Sequence, residues 1–160
     1  MSETRSHIVS YRRASLAELP AADQELVKRA NDAAAMAYAP YSNFLVGAAI
    51  RLKGGPIITG NNQENASFPA GICAERTALH AAMSNNPNAS VDSIAVMVPQ
   101  VKGDMPISPC GICRQALLEQ ETRQGSSMRV LLGTSEGTVI ELAAAADLLP
   151  LHFDRSQLKR

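Results

Sequence analysis

The chain has no excess of either charge: 15 basic residues stand against 15 acidic ones, for a formal net charge of +0 at pH 7. No basic stripe runs along it, so the electrostatic footprint of a protein that grips a long nucleic acid is missing. The expectation is a small or neutral ligand and no nucleic-acid partner. There is no apolar run near the roughly 18 residues that span a bilayer. The opening stretch "MSETRSHIVSYRRASLAELP" carries no apolar core of a secretory signal. A cytoplasmic protein without a membrane partner is therefore expected. Cysteine is scarce, with three in 160 residues, and an odd number without a secretory signal argues against a disulfide framework. Reduced thiols are left for a metal or for catalysis. Internal repeats, low-complexity tracts and composition shifts are also missing, and the length suits one domain with a real core. We expect a loosely held arm over residues 1–18 and a single domain over 19–155.

What is present is patterned. Residues 21–37, "AADQELVKRANDAAAMA", space Leu26, Val27, Ala30, Ala33, Ala34 and Ala37 by threes and fours, the stripe of a one-sided helix, and "AP" at 39–40 stops it. The apolar run 44–52, the turn "KGG" and the run 56–61 predict a hairpin of two strands. A helix follows over 73–83 and ends at the breaker "NNPN". Further strands are expected over 93–98, 128–134 and 137–142. A helix over 108–123 opens with serine and proline, both favoured at helix starts, and a last short helix lies over 143–149. Strands and helices alternate after the hairpin, which predicts the α/β class: a mixed five-stranded sheet between helix layers, three layers deep, α/β/α.

The chemistry lies in "AGICAERTALHAA" (70–82) and "SPCGIC" (108–113). Cys110 and Cys113 form a C-x-x-C, which serves redox couples, iron–sulfur clusters and zinc alike. A redox pair leaves Cys73 and Glu75 without a task. A metal uses all three thiols. Each cysteine stands at or beside the first turn of an expected helix, where free amides and the positive dipole end favour thiolate. Three protein ligands leave one corner of a zinc tetrahedron open, the arrangement of a catalytic site, whereas a structural site would need a fourth. His80, two helical turns beyond Cys73, lies about 10 Å further along the axis, out of reach of the metal. His7 and His152 remain open as fourth ligands. Glu75, two residues past Cys73, can act as a proton carrier beside the open corner or simply as an acid at a helix start. Three thiolates outweigh a zinc dication by one charge, so Arg76 and Arg114, each just after a ligand segment, are candidates to withdraw charge from the sulfurs.

These residues carry a resemblance. "CAE" at 73–75 with "PCGIC" at 109–113 resembles the signature of the cytidine deaminases in its three-cysteine form. "APYSNFLVGAA" (39–49), "GNNQEN" (60–65) and "LLPLHF" (148–153) are similar to further stretches of that family, in the same order. The resemblance implies a zinc-dependent enzyme that converts cytidine and 2'-deoxycytidine to the uridine nucleosides with release of ammonia, in pyrimidine salvage. It implies one Zn2+ per subunit on Cys73, Cys110 and Cys113, with Glu75 as the catalytic acid and base. Asn62 and Glu64 would hold the ribose hydroxyls, Phe44 would pack on the pyrimidine, and the Ala74 backbone would meet the base carbonyl. Arg76 would offset thiolate charge. Phe153 would help close the site of a neighbouring subunit in a homotetramer. A carboxamide and a carboxylate suit a vicinal diol, and an aromatic face suits a flat base. The connection "VKGDMPI" (101–107) matches nothing interpretable in that family.

Overall fold

Alternation along the strands sorts the core into two faces. In the computed structural model, which describes residues 2–158, six strands form one sheet in the order β1-β6-β5-β4-β2-β3. They are β1 (Arg12–Ser15), β2 (Gly47–Leu52), β3 (Ile57–Asn61), β4 (Val91–Met97), β5 (Arg129–Gly133) and β6 (Thr138–Leu142). Only the β4–β5 pair is parallel. The mixed sheet and the α/β class are as expected. The strand count is corrected from five to six, because residues 12–15 of the expected arm pair with β6, Arg12 opposite Glu141 and Ser15 opposite Thr138.

On one face Ala48, Ile50, Ile94, Val96, Val130, Leu132 and Ile140 pack against the helices α2 (Ala74–Asn85) and α3 (Gly111–Gln124). The intervening residues Ala49, Ala95, Met97, Leu131 and Val139 face α1 (Ala21–Ala34) through Leu26, Val27 and Ala30. This is the period-two signature of a sheet buried on both sides. α1 comes so close to β2 that a Cβ on Gly47 would lie 1.9 Å from the Ala30 carbonyl.

Helix boundaries shift slightly from the expected ones. α1 gives way after Ala34 to three i→i+3 turns, with Ala35, Met36 and Ala37 donating to Asp32, Ala33 and Ala34. α3 begins at Gly111 with Cys110 as its N-cap rather than at Ser108. α2 likewise starts one residue after its N-cap, Cys73. The short helix expected over 143–149 is a 3-10 turn, Ala145–Leu148, and a second 3-10 turn follows at Arg155–Leu158. α3 is fastened by Glu121, whose carboxylate accepts the amides of Met128 (2.9 Å) and Ala145 (2.7 Å).

Candidate active site and metal centre

The N-termini of α2 and α3 meet. Cys73 and Cys110 are both N-caps in extended backbone, and Cys113 sits in the first turn of α3. Their three sulfur atoms lie within 4.8 Å of one another, with Cys73 Sγ 3.8 Å from Cys110 Sγ. A tetrahedral zinc with Zn–S bonds of about 2.3 Å holds its sulfurs about 3.8 Å apart, so the spacing fits that ion. Among the described residues no histidine or carboxylate joins the group. His80 is exposed on the outer side of α2, and His152 Nδ1 lies 2.7 Å from the Leu149 carbonyl oxygen.

The electrostatics already favour one sulfur anion, at Cys73. The Cys73 thiol is pushed down to about 5, first by hydrogen bonding with Cys113, then by Cys110 and the Arg76 guanidinium, against the opposing effect of burial. Cys113 is pushed up, by its hydrogen bond to Cys73 and by burial. One thiolate therefore forms readily while its neighbour keeps its proton, and a dication would displace that proton. Arg76 lies against Cys73 and Cys113. Burial works against its charge, yet the sulfurs raise its affinity for the proton, and its Nε is buried without a partner. Arg114 does not reach the sulfurs. Its three nitrogens donate to Pro109 O (2.7 Å), Leu148 O (2.9 Å) and Ser108 Oγ (2.8 Å), which holds the extended lead into α3.

Beside the sulfurs opens a cavity of about 210 Å³ lined by Phe44, Asn62, Glu64, Cys73, Glu75 and Cys110, together with Val98, Ile107 and Pro109. Glu75 is only 4% exposed. Burial pushes its carboxyl up, the negative charge at Cys73 adds to this, and its own backbone amide, Cys113 and Arg76 pull the other way without prevailing. Ala74, with its side chain fully buried, opens α2 and contributes one of the free amides of the first turn. Gly60 of β3 allows this approach, since a Cβ there would lie 2.3 Å from the Ala78 nitrogen and 2.8 Å from the Ala74 oxygen.

Asn62 and Glu64 are held before any ligand arrives. Asn62 Oδ1 accepts from the Val46 amide (2.8 Å) and its Nδ2 donates to Phe44 O (2.9 Å). Glu64 accepts the amides of Tyr41 (2.9 Å) and Ser42 (3.3 Å) and the Ser42 hydroxyl. That hydroxyl, then the Tyr41 amide, hold its carboxyl below the usual range. Ser42 went unassigned in the sequence, although it lies inside "APYSNFLVGAA". Val98 and Ile107 gave no sequence signal, because such residues read equally well as core. Phe153 alone stands apart: it is 55% exposed, and its carbonyl accepts from Gln115 Nε2 (2.8 Å) on α3. A larger hollow of about 630 Å³, lined by Tyr41, Phe68, Ile112 and Arg76 among others, adjoins the cavity at Cys73.

A family model for the cytidine and deoxycytidylate deaminase zinc-binding region matches residues 20–126. A cytidine deaminase of Halalkalibacterium halodurans is 42% identical over 130 residues, covering 81% of this chain and 92% of the relative. One from Sporosarcina psychrophila is 39% identical over 135 residues, 84% of this chain and 93% of the relative. Among solved structures, the cytidine deaminase of Burkholderia pseudomallei superposes with a TM-score of 0.72 at 40% identity, covering 81% of this chain and 98% of that one.

Proposed function

We propose, on the premise that this chain belongs to the cytidine and deoxycytidylate deaminase family, that it hydrolyses the exocyclic C4–N bond of cytidine and 2'-deoxycytidine. The products are ammonia and the uridine nucleoside, a step of pyrimidine salvage. The observation that carries this is the convergence of three sulfurs at zinc spacing beside a buried glutamate in a cavity with an aromatic and a polar wall.

Cys73, Cys110 and Cys113 would hold one zinc ion per subunit, which would supply the Lewis acidity that brings the pKa of water from about 15.7 toward 7. Glu75 takes the proton of the attacking water, delivers it to N3 of the ring, and carries the second proton to the departing amine. Its raised affinity for protons suits that shuttle, since a carboxyl works best when its pKa approaches the working pH. The open first turn of α2, through the Ala74 amide, donates to the base carbonyl. Phe44 packs on the ring face. An ionised carboxylate offers about four lone-pair sites and an amide two donors, so Glu64 and Asn62 keep capacity for the sugar hydroxyls beyond the bonds that orient them. Arg76 offsets the surplus negative charge of three thiolates on a dication. Phe153 reaches a neighbouring subunit's site in a homotetramer, in keeping with its exposed ring.

The test is zinc content together with ammonia release from cytidine, deoxycytidine, deoxycytidylate, cytosine and blasticidin S. Turnover of the two nucleosides well above the other three compounds is expected. Turnover of blasticidin S or the nucleotide alone would replace the proposed substrate.

A further inference from the structure

Two loops distant in sequence both contribute to the lining of the cavity. Residues 39–46 bring Phe44 and Val46, and residues 98–110 bring Val98, Ile107, Ser108, Pro109 and Cys110. One side chain bridges them: Gln100 Nε2 donates to the carbonyl oxygen of Asn43 at 3.0 Å. That carbonyl belongs to the peptide unit whose other end is the Phe44 amide, and the Phe44 amide donates to Ser42 Oγ at 3.0 Å. The Phe44 carbonyl in turn accepts from Asn62. Asn43 itself stands at φ 54°, in the left-handed region where the peptide that follows has few alternatives. The peptide plane that aims Phe44 is thus held at both ends, and Gln100 ties it to the segment that leads to Cys110.

Gln100 is itself well placed to hold rather than follow. Val101 donates to the Val98 carbonyl at 3.0 Å, closing a turn with Pro99 and Gln100 at its centre. The Val101 carbonyl accepts from both the amide and the hydroxyl of Ser135 (3.2 and 2.8 Å), in the β5–β6 turn. Gly103 N donates to Glu136 at 2.9 Å, and Asp104 pairs with Arg13 of β1 at 2.9 Å. The segment carrying Gln100 is braced by the end of the sheet, so the bond links the Phe44 peptide to that framework.

We infer that Gln100 is a positioning residue for substrate binding: it sets the orientation of Phe44 against the base and thereby the affinity for the pyrimidine. This rests on the proposed deaminase reading. The test is Gln100→Glu, close in size but carrying an acceptor where a donor is needed, measured alone and on a Phe44→Ala background. Cytidine KM should rise roughly tenfold, with kcat within threefold and with parental zinc content and melting temperature, because a lost hydrogen bond to a carbonyl and the new repulsion act on binding. On the Phe44→Ala background the same change should add less than twofold, since the group it aims is gone. Gln100→Lys, which keeps a donor, should recover part of the loss. An unchanged KM in Gln100→Glu, a loss that follows the melting temperature, or full additivity with Phe44→Ala would overturn the inference. A parent enzyme inactive on cytidine would instead overturn the underlying reading.

Discussion

At the scale of single residues, the site depends on charge placed where water is scarce. Glu75 is the sharpest case, a carboxylate nearly sealed from solvent beside a cluster of sulfurs. If it carries both protons of the reaction, Glu75→Gln should keep the three sulfurs and their zinc but lower kcat by at least about a hundredfold, the usual scale of general acid–base assistance. Metal analysis beside steady-state kinetics checks this, and a variant within tenfold of the parent would remove Glu75 from the mechanism. The convergence of the three sulfurs was legible from spacing, because ligands at helix starts have a local geometric requirement, whereas Glu75 had a role only through the family resemblance. Arg114, a candidate for the same charge-offsetting role as Arg76, turns elsewhere, and the sequence could not separate the two. An arginine after a ligand looks the same in sequence whether it faces sulfur or, as here, the carbonyls of Pro109 and Leu148. Gln100 was invisible because its partner lies 57 residues away and is a backbone atom, whose identity no sequence encodes.

At the scale of elements, two helix starts and one strand must meet closely. Gly60 lets β3 lie against the first turn of α2, with backbone atoms already at 2.3 and 2.8 Å from where a Cβ would stand. Neither contact is a flexible side chain, so Gly60→Ala must displace the helix start that carries Cys73, Ala74 and Glu75. An overpacking cost of about 1–3 kcal/mol, or a melting temperature lower by roughly 2–10 °C, is expected. A larger proportional loss in kcat/KM should accompany it. Gly111→Ala at the start of α3 is the control, because its Cβ meets nothing within 4 Å; thermal melts of the two variants should differ clearly, and equal melts would refute the steric account. Most elements could be read from periodicity, since strands buried on both faces and amphipathic helices follow burial directly. The boundaries were less legible. Ser108 and Pro109 promised an earlier start for α3, but Arg114 holds them extended. "RRAS" has no alternation, and it becomes a strand only because the β6 edge is there to receive it.

At the scale of the molecule, a line of charges fastens the sheet to α1. Arg12 pairs with Glu141 at 3.5 Å, Glu141 with Arg129 at 3.1 Å, Arg129 with Asp23 at 2.5 Å, and Asp23 with Arg51 at 3.2 Å. Only Asp23 is nearly sealed from solvent, with a side chain 4% exposed, and it serves two arginines at once. Replacing it by asparagine leaves both cations short of their counter-charge. Allowing for partial exposure of Arg129, the cost is about 2–4 kcal/mol, which chemical denaturation should register as a lower midpoint at unchanged slope. Loss of less than about 0.5 kcal/mol would mark the line as ornamental.

The strand built from residues 12–15 also changes where this molecule can safely be cut. Ahead of the stretch that the family model recognises, it covers the flank of β6 with a narrow ribbon bearing two arginines. A version trimmed to the recognised region would leave that flank bare, offering a row of unanswered amides and carbonyls to any other polypeptide in extended form. What resembles a dispensable leader thus acts as a selvedge that keeps the weave from catching on its neighbours.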